Sequence, residues 1–169
     1  MKWEELANQH CSVARALSVI GDRWTLLVLC DCFLGVRRFE TFQQRLGISR
    51  TTLADRLAHL EEHGVLCKQA YQQQPLRHEY RLTDKGLDLH GVVLLLAQWG
   101  DTHYAGKAGP PLLYRHDACD HDFTAEVTCS ECGEHVKARD VAVRTRQTRR
   151  GVPSVPRGPI REHKTHSSQ

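Results

Sequence analysis

Apolar positions recur at helical spacing through the N-terminal part of the chain. Ala14, Leu17, Val19 and Ile20 mark the apolar side of a first helix that stops at Gly21. Residues 23–34 contain Trp24, Leu26, Leu27, Val28 and Leu29, which predicts a second, mostly buried helix ended by Gly35. The elements then shorten. Residues 40–46 predict one or two helical turns before Gly47, and Ser49 is a good N-cap for a helix over 50–63 that Gly64 ends. Only Gly47-Ile48-Ser49 separates these two helices, and short helices joined by such a turn form a helix-turn-helix. In the second of them, at about 100° per residue, Leu53, Leu57 and Leu60 share one face. Thr51, Asp55, Ala58 and Glu62 fall roughly opposite, with His59 nearby.

Residues 65–71 and 78–82 favour strands, and Gln72, Gln73, Gln74 and Pro75 make a polar turn between them. A hairpin directly after the second short helix is a wing. Thr83 caps a long helix predicted to reach about Tyr104. Its middle, Val92 to Ala97, is six consecutive apolar residues. A helix apolar on so many sides needs cover on more than one side, and in a domain this small a second subunit supplies it. The fold class is therefore mainly α with a small β-hairpin wing, plus a small C-terminal Cys/His appendage resembling a zinc ribbon. The predicted boundaries are 1–106 for DNA binding and dimerisation, 107–140 for the appendage, and 141–169 for a basic, disordered tail, with Gly109-Pro110-Pro111 as linker.

Charge sharpens this division. The net charge of +3 hides an asymmetry, because residues 141–169 hold seven basic side chains against the single acid Glu162. The first 140 residues hold 16 basic side chains against 19 acidic ones, so DNA affinity there needs a local patch. No run approaches the roughly eighteen apolar residues of a membrane span, and Met1 to His10 is acidic and amphipathic, unlike a secretory signal. The expected compartment is the cytoplasm. The seven cysteines there are reduced thiols, metal ligands or redox sensors.

The N-terminal end of a recognition helix usually enters the major groove. That makes Arg50, Thr51, Thr52 and Asp55 the base-edge candidates, since Arg pairs with guanine and Thr can touch a thymine methyl. Arg56, at the border of the buried face, either holds a phosphate or pairs with an acid inside the domain. Arg37 and Arg38 before the first short helix, Gln43, Gln44 and Arg45 on it, and Arg77 and His78 at the wing stand where a backbone clamp needs them. Each alone also suits an ordinary solvated surface; the order helix, turn, helix, hairpin makes the set specific.

These residues carry a family resemblance. The run Ala16-Leu17-Ser18-Val19-Ile20-Gly21-Asp22-Arg23-Trp24-Thr25-Leu26-Leu27 resembles the opening of HxlR-type regulators. Arg37-Arg38-Phe39, Gly47-Ile48-Ser49 leading to Leu53-Ala54-Asp55-Arg56-Leu57, and Leu60-Glu61 continue it. Glu79-Tyr80-Arg81-Leu82-Thr83, Gly86 and Trp99-Gly100 complete it, over about residues 10 to 104. The resemblance implies a winged helix-turn-helix homodimer on operator DNA, dimerising through its N-terminal and last long helices. It also implies an oxidant- or electrophile-sensing cysteine near the N-terminus, at the position of Cys11. The family commonly has Cys-Pro there, whereas Ser12 follows here. The segment after Gly106 lies outside the family pattern.

The other cysteines divide in two. Cys129-x2-Cys132 followed by Gly133 suits a zinc knuckle, and Cys119 with His121 would complete a four-ligand structural Zn2+ site, with His116 and His135 as rival ligands. A metal would explain how so short a segment folds. Cys30, Cys32 and Cys67 fit as packing residues, while Cys11 precedes a predicted helix start, where the helix dipole favours a thiolate. No Gly-rich phosphate loop, nucleophile–base arrangement or paired acids stand out, so nothing supports an enzyme. The expected function is transcription regulation. An adaptor using the winged domain as scaffold, and a thiol redox enzyme, are the alternatives.

Overall fold

The computed structural model describes residues 11–143, so the acidic start and all but the first three residues of the basic tail lie outside the described residues. The chain divides into two compact units, one ending at Phe123 and the other beginning at Thr124. That division falls inside the segment read as an appendage.

In the first unit the elements run α1 (Ser12–Ile20), α2 (Arg23–Phe33), α3 (Phe39–Leu46), α4 (Arg50–Glu62), β1 (Leu66–Gln73), β2 (Leu76–Leu82), α5 (Asp84–Leu87) and α6 (His90–Tyr104). The hydrophobic pattern placed the helices of the motif closely. Asp22 caps α2, its Oδ1 accepting the N–H groups of Trp24 at 3.0 Å and Thr25 at 3.2 Å. Gly47 ends α3 in the left-handed region at φ 61°, where a side chain would be strained, and Ile48 behind it is buried. Ser49 Oγ then accepts the Thr52 N–H at 3.2 Å and starts α4.

The core lies where α2, α3 and α4 meet the base of the hairpin. Leu53, Leu57 and Leu60 of α4 are fully buried with Val28 and Leu29 of α2 and Phe42 of α3. Val65 and Leu66 close the group from the hairpin side. β1 and β2 pair antiparallel from Leu66↔Leu82 to Gln73↔Leu76, with an irregularity between Ala70 and Gln72. The strands therefore extend further toward the tip than predicted. The hairpin gains a third chain neighbour where the Tyr80 N–H donates to the Arg37 carbonyl at 2.7 Å.

The long C-terminal helix is not continuous. Its first turn, α5, is separate from α6. Thr83 holds that turn to the base of the wing, its hydroxyl donating to the Gly64 carbonyl at 2.6 Å and accepting the Gly86 N–H at 3.1 Å. Gly86 is buried, and a Cβ there would collide with the Val65 carbonyl oxygen and the Leu82 side chain. The wing thus holds α5 in place, and Asp88 and Leu89, both in the right-handed helical region, lead into α6. Helical periodicity alone did not show this break. A 3-10 turn (Gly106–Ala108) and a two-residue hairpin, β3 (Arg115–His116) with β4 (His121–Asp122), complete the unit.

In the second unit a tight turn places Thr128 opposite His135. The Gly133 N–H donates to the Cys129 carbonyl at 2.9 Å, and the Cys129 N–H to the Glu134 carbonyl at 2.8 Å. No zinc ribbon is recognisable from these short elements alone.

Two substitutions test this packing. Leu57→Ala, at a fully buried site, is expected to lower unfolding stability by about 2–5 kcal/mol. Gly86→Ala, which forces α5 from the wing, is expected to cost about 1–3 kcal/mol. Urea unfolding followed by circular dichroism measures both; a Gly86→Ala protein as stable as wild type would show that the α5–wing contact yields freely.

Candidate nucleic-acid interface

Burying one stripe of α4 leaves the other face outward. Arg50, Thr51 and Asp55 are exposed at its N-terminal end, and Thr52 is partly covered. The Thr52 hydroxyl lies 2.8 Å from Ser49 Oγ, so it shares a hydrogen bond with the capping side chain. That bond was not visible in the sequence, where Thr52 ranked equally with Thr51. Arg50 stands over the Phe39 ring at 4.9 Å, which links the start of α4 to the start of α3.

The other predicted contacts divide by environment. Arg38 lies over the Tyr71 ring at 4.5 Å, joining the α3 N-cap to the wing. Gln43 is half-buried on α3, and Arg37 gives its carbonyl to Tyr80. Arg77 and His78 are exposed on β2. Arg56 turns toward the domain, its Nη1 3.8 Å from Asp22 Oδ1. Arg45 is likewise engaged, Nε and Nη2 donating to Asp31 Oδ1 at 3.1 and 3.0 Å. Asp31 is buried, and its hydrogen bond to Arg45, followed by its charge, raises the Arg45 pKa. The sequence signal for this brace was present in an acid set between two cysteines on an otherwise apolar helix. Lys68 was missed too: its Nζ lies 2.8 Å from Glu61 and 5.7 Å from the Tyr80 ring centre, tying β1 to the C-terminal end of α4.

The sequence profile of the HxlR-like helix-turn-helix family matches residues 19–108. The chain belongs to this family. It is 45% identical over 130 residues to the uncharacterized HTH-type transcriptional regulator Rv3095 of Mycobacterium tuberculosis, covering 77% of this chain and 82% of that one. The crystal structure of PA1607 matches with a TM-score of 0.74 at 32% identity, over 85% of this chain and 99% of that one. The redox regulator HypR in its oxidized form matches with a TM-score of 0.52 at 32% identity, over 55% of this chain and 97% of that one.

The thiols of this HxlR-like protein occupy different environments. Cys11 is exposed at the N-cap of α1. Cys32 is buried, and burial together with the charge of Asp31 pushes its pKa up to about 12. Cys30 is shifted upward for the same two reasons. Cys67, read as a structural residue, is exposed on β1, where Leu66 is buried and residues 67–70 are all exposed.

The proposed metal ligands fall on both units. In the first, Cys119 Sγ lies 3.4 Å from His116 Nδ1, while His121 Nδ1 donates to the Cys119 carbonyl. In the second, the backbone N–H groups of Cys132 and Glu131, followed by the Cys132 thiol, lower the Cys129 pKa. Among the described residues no three His, Cys, Asp or Glu side chains gather as a metal-binding group.

Thiol environment has a direct consequence. A raised pKa keeps Cys32 protonated at pH 8, and burial shields it. Iodoacetamide on the native protein is therefore expected to modify Cys11 and Cys67 well before Cys32, which reacts only as the protein unfolds. Peptide mass spectrometry over a time course reads the order, and early labelling of Cys32 would contradict the packing of α2.

Proposed function

We propose that this helix-turn-helix transcriptional regulator binds operator DNA sequence-specifically, as a homodimer, without enzymatic activity. The observation that carries the reading is the N-terminal end of α4, where Arg50, Thr51 and Asp55 are exposed while Leu53, Leu57 and Leu60 are fully buried. A convex helix end of this kind fits a major groove. Arg38 and Arg77 flank it as phosphate contacts, while Arg37 and Gln43 support its approach. Arg56, paired inside the domain, orders the helix as well as any phosphate it meets.

A second copy of the chain is the proposed cover for α6. Val93 and Leu94 are buried, but Val92 is 49% exposed, Leu95 39%, Leu96 49% and Trp99 54%. Val13 and Leu17 of α1 are exposed as well. A large exposed apolar face marks an association surface. A two-fold pair would present two recognition helices roughly 34–36 Å apart, matching successive major grooves. The proposed location is the cytoplasm, where the DNA is; among the described residues no helix is long and apolar enough to cross a membrane. A thiol-redox response is proposed at Cys11, supported by its exposure at the α1 N-cap and by the likeness to a protein named as a redox regulator.

A structural zinc is proposed for the C-terminal segment, where the local support is the Cys129–Cys132 turn with its lowered Cys129 pKa. Thiolate donors suit Zn2+.

Binding to a duplex selected from a random library tests the main reading. Arg50→Ala and Thr51→Ala are each expected to weaken that duplex by about 1–3 kcal/mol while leaving scrambled DNA nearly unchanged. Thr51 is chosen because it is exposed while Thr52 is partly covered. Unchanged preference in both variants would remove α4 from the recognition role, and no salt-dependent duplex binding by wild type would favour an adaptor. Sedimentation should show a dimer that Leu95→Glu dissociates, and peroxide should alter binding in wild type but not in Cys11→Ser.

Elemental analysis of protein purified without chelator is expected to give one zinc per chain, lost in Cys132→Ala. Less than a tenth of an equivalent in wild type would refute the metal. Zinc content of Cys119→Ala and His121→Ala tests the remaining two ligand assignments.

A further inference from the structure

Besides its apolar stripe, α4 has a polar flank formed by Arg56 and His59 and continued by the C-cap residue His63, at helix spacings that bring neighbours together. This flank faces the turn between α1 and α2. His59 Nε2 lies 3.1 Å from the Val19 carbonyl in the last turn of α1. A carbonyl only accepts, so Nε2 carries the proton and donates. Three residues earlier on α4, Arg56 reaches Asp22, the residue that caps α2. The His63 Nδ1–H donates to the His59 carbonyl at 2.9 Å, with the two rings 4.3 Å apart, and Lys85 Nζ donates to the His63 carbonyl at 2.7 Å. The C-terminal half of α4 is thereby tied on one side to α1 and α2 and at its end to α5. Its N-terminal half carries the exposed residues.

Apolar packing of Leu53, Leu57 and Leu60 decides which face of α4 is inward, but hydrophobic burial is non-directional and leaves the fine setting of the rotation to directional bonds. The hydrogen bond from His59 to Val19 has direction and crosses forty residues of sequence. We propose that His59 is a positioning residue for DNA recognition: by clamping α4 to the end of α1 it sets the rotation at which Arg50, Thr51 and Asp55 meet the bases. The proposal rests on the operator-binding reading. It also makes α1, whose Val13 and Leu17 are exposed, the reference against which the recognition helix is set.

The test uses the full chain with His59→Leu, His59→Asn and His59→Gln. Leu removes the donor; Asn keeps polarity but is too short to reach; the longer Gln amide can donate to the same carbonyl. Should His59→Leu fail to fold, His59→Asn serves in its place. Two readouts are needed. Hydrogen–deuterium exchange on the free protein should show faster exchange over residues 12–22 in the Leu and Asn variants and near-wild-type exchange in the Gln variant. The affinity ratio between the duplex selected by wild type and a scrambled duplex should fall roughly two- to tenfold in Leu and Asn, the size of one lost neutral hydrogen bond, and recover in Gln. Scrambled-duplex affinity and its salt dependence should stay at wild-type values.

A selective wild type with unchanged ratios in Leu and Asn overturns the proposal alone. So does an equal loss on both duplexes that Gln does not rescue, which marks a merely structural side chain. Wild-type protein that binds no duplex overturns the operator reading and, with it, the role in recognition, whatever the exchange data show of the clamp.

Discussion

The packing of one apolar stripe on α4 governs the rest of the first unit. Leu53, Leu57 and Leu60 are fully buried against Val28, Leu29 and Phe42. Each such side chain contributes on the order of 1.5–3 kcal/mol relative to exposure, so the stripe is the largest single reason for α4 to sit where it does. Because the helix is held by one face, the opposite face must be outward. Exposure of Arg50, Thr51 and Asp55 is a consequence of that burial.

Around this core the charged side chains act as braces more than as free charges. Arg45 is held by buried Asp31, Arg56 approaches Asp22, and Lys68 pairs with Glu61. Arg38 and Arg50 stand over Tyr71 and Phe39. An exposed cation–π contact is worth only about 0.5–1 kcal/mol, so its value lies in limiting the rotamers of a long side chain before it meets a ligand. The net charge of the first 140 residues is negative, and a local arrangement of oriented arginines is therefore what a polyanion would find there.

The wing and the last helices form a second dependency. Thr83 and Gly86 lock α5 to Gly64 and Val65. Helix α6 then buries only part of its apolar run. Among the described residues Val92, Leu95, Leu96 and Trp99 remain exposed, and this apolar face is what the proposed association rests on.

Much of this was legible from residue order. Period-3.6 spacing of Leu53, Leu57 and Leu60 defined the inner face of α4, Gly47 and Ser49 defined the turn, and the six-residue run from Val92 predicted the uncovered face. Such features are local: they depend on side chains a few positions apart and on backbone preferences of single residues. Tertiary structure alone decided what depends on residues far apart in the chain. It separated α5 from α6, set the Thr52 hydroxyl beside Ser49, left Cys67 exposed, paired Arg45 with Asp31, and brought His59 to Val19. The physical reason is that helical periodicity shows which side of a helix is apolar but carries no information about which distant polar group lies at its border.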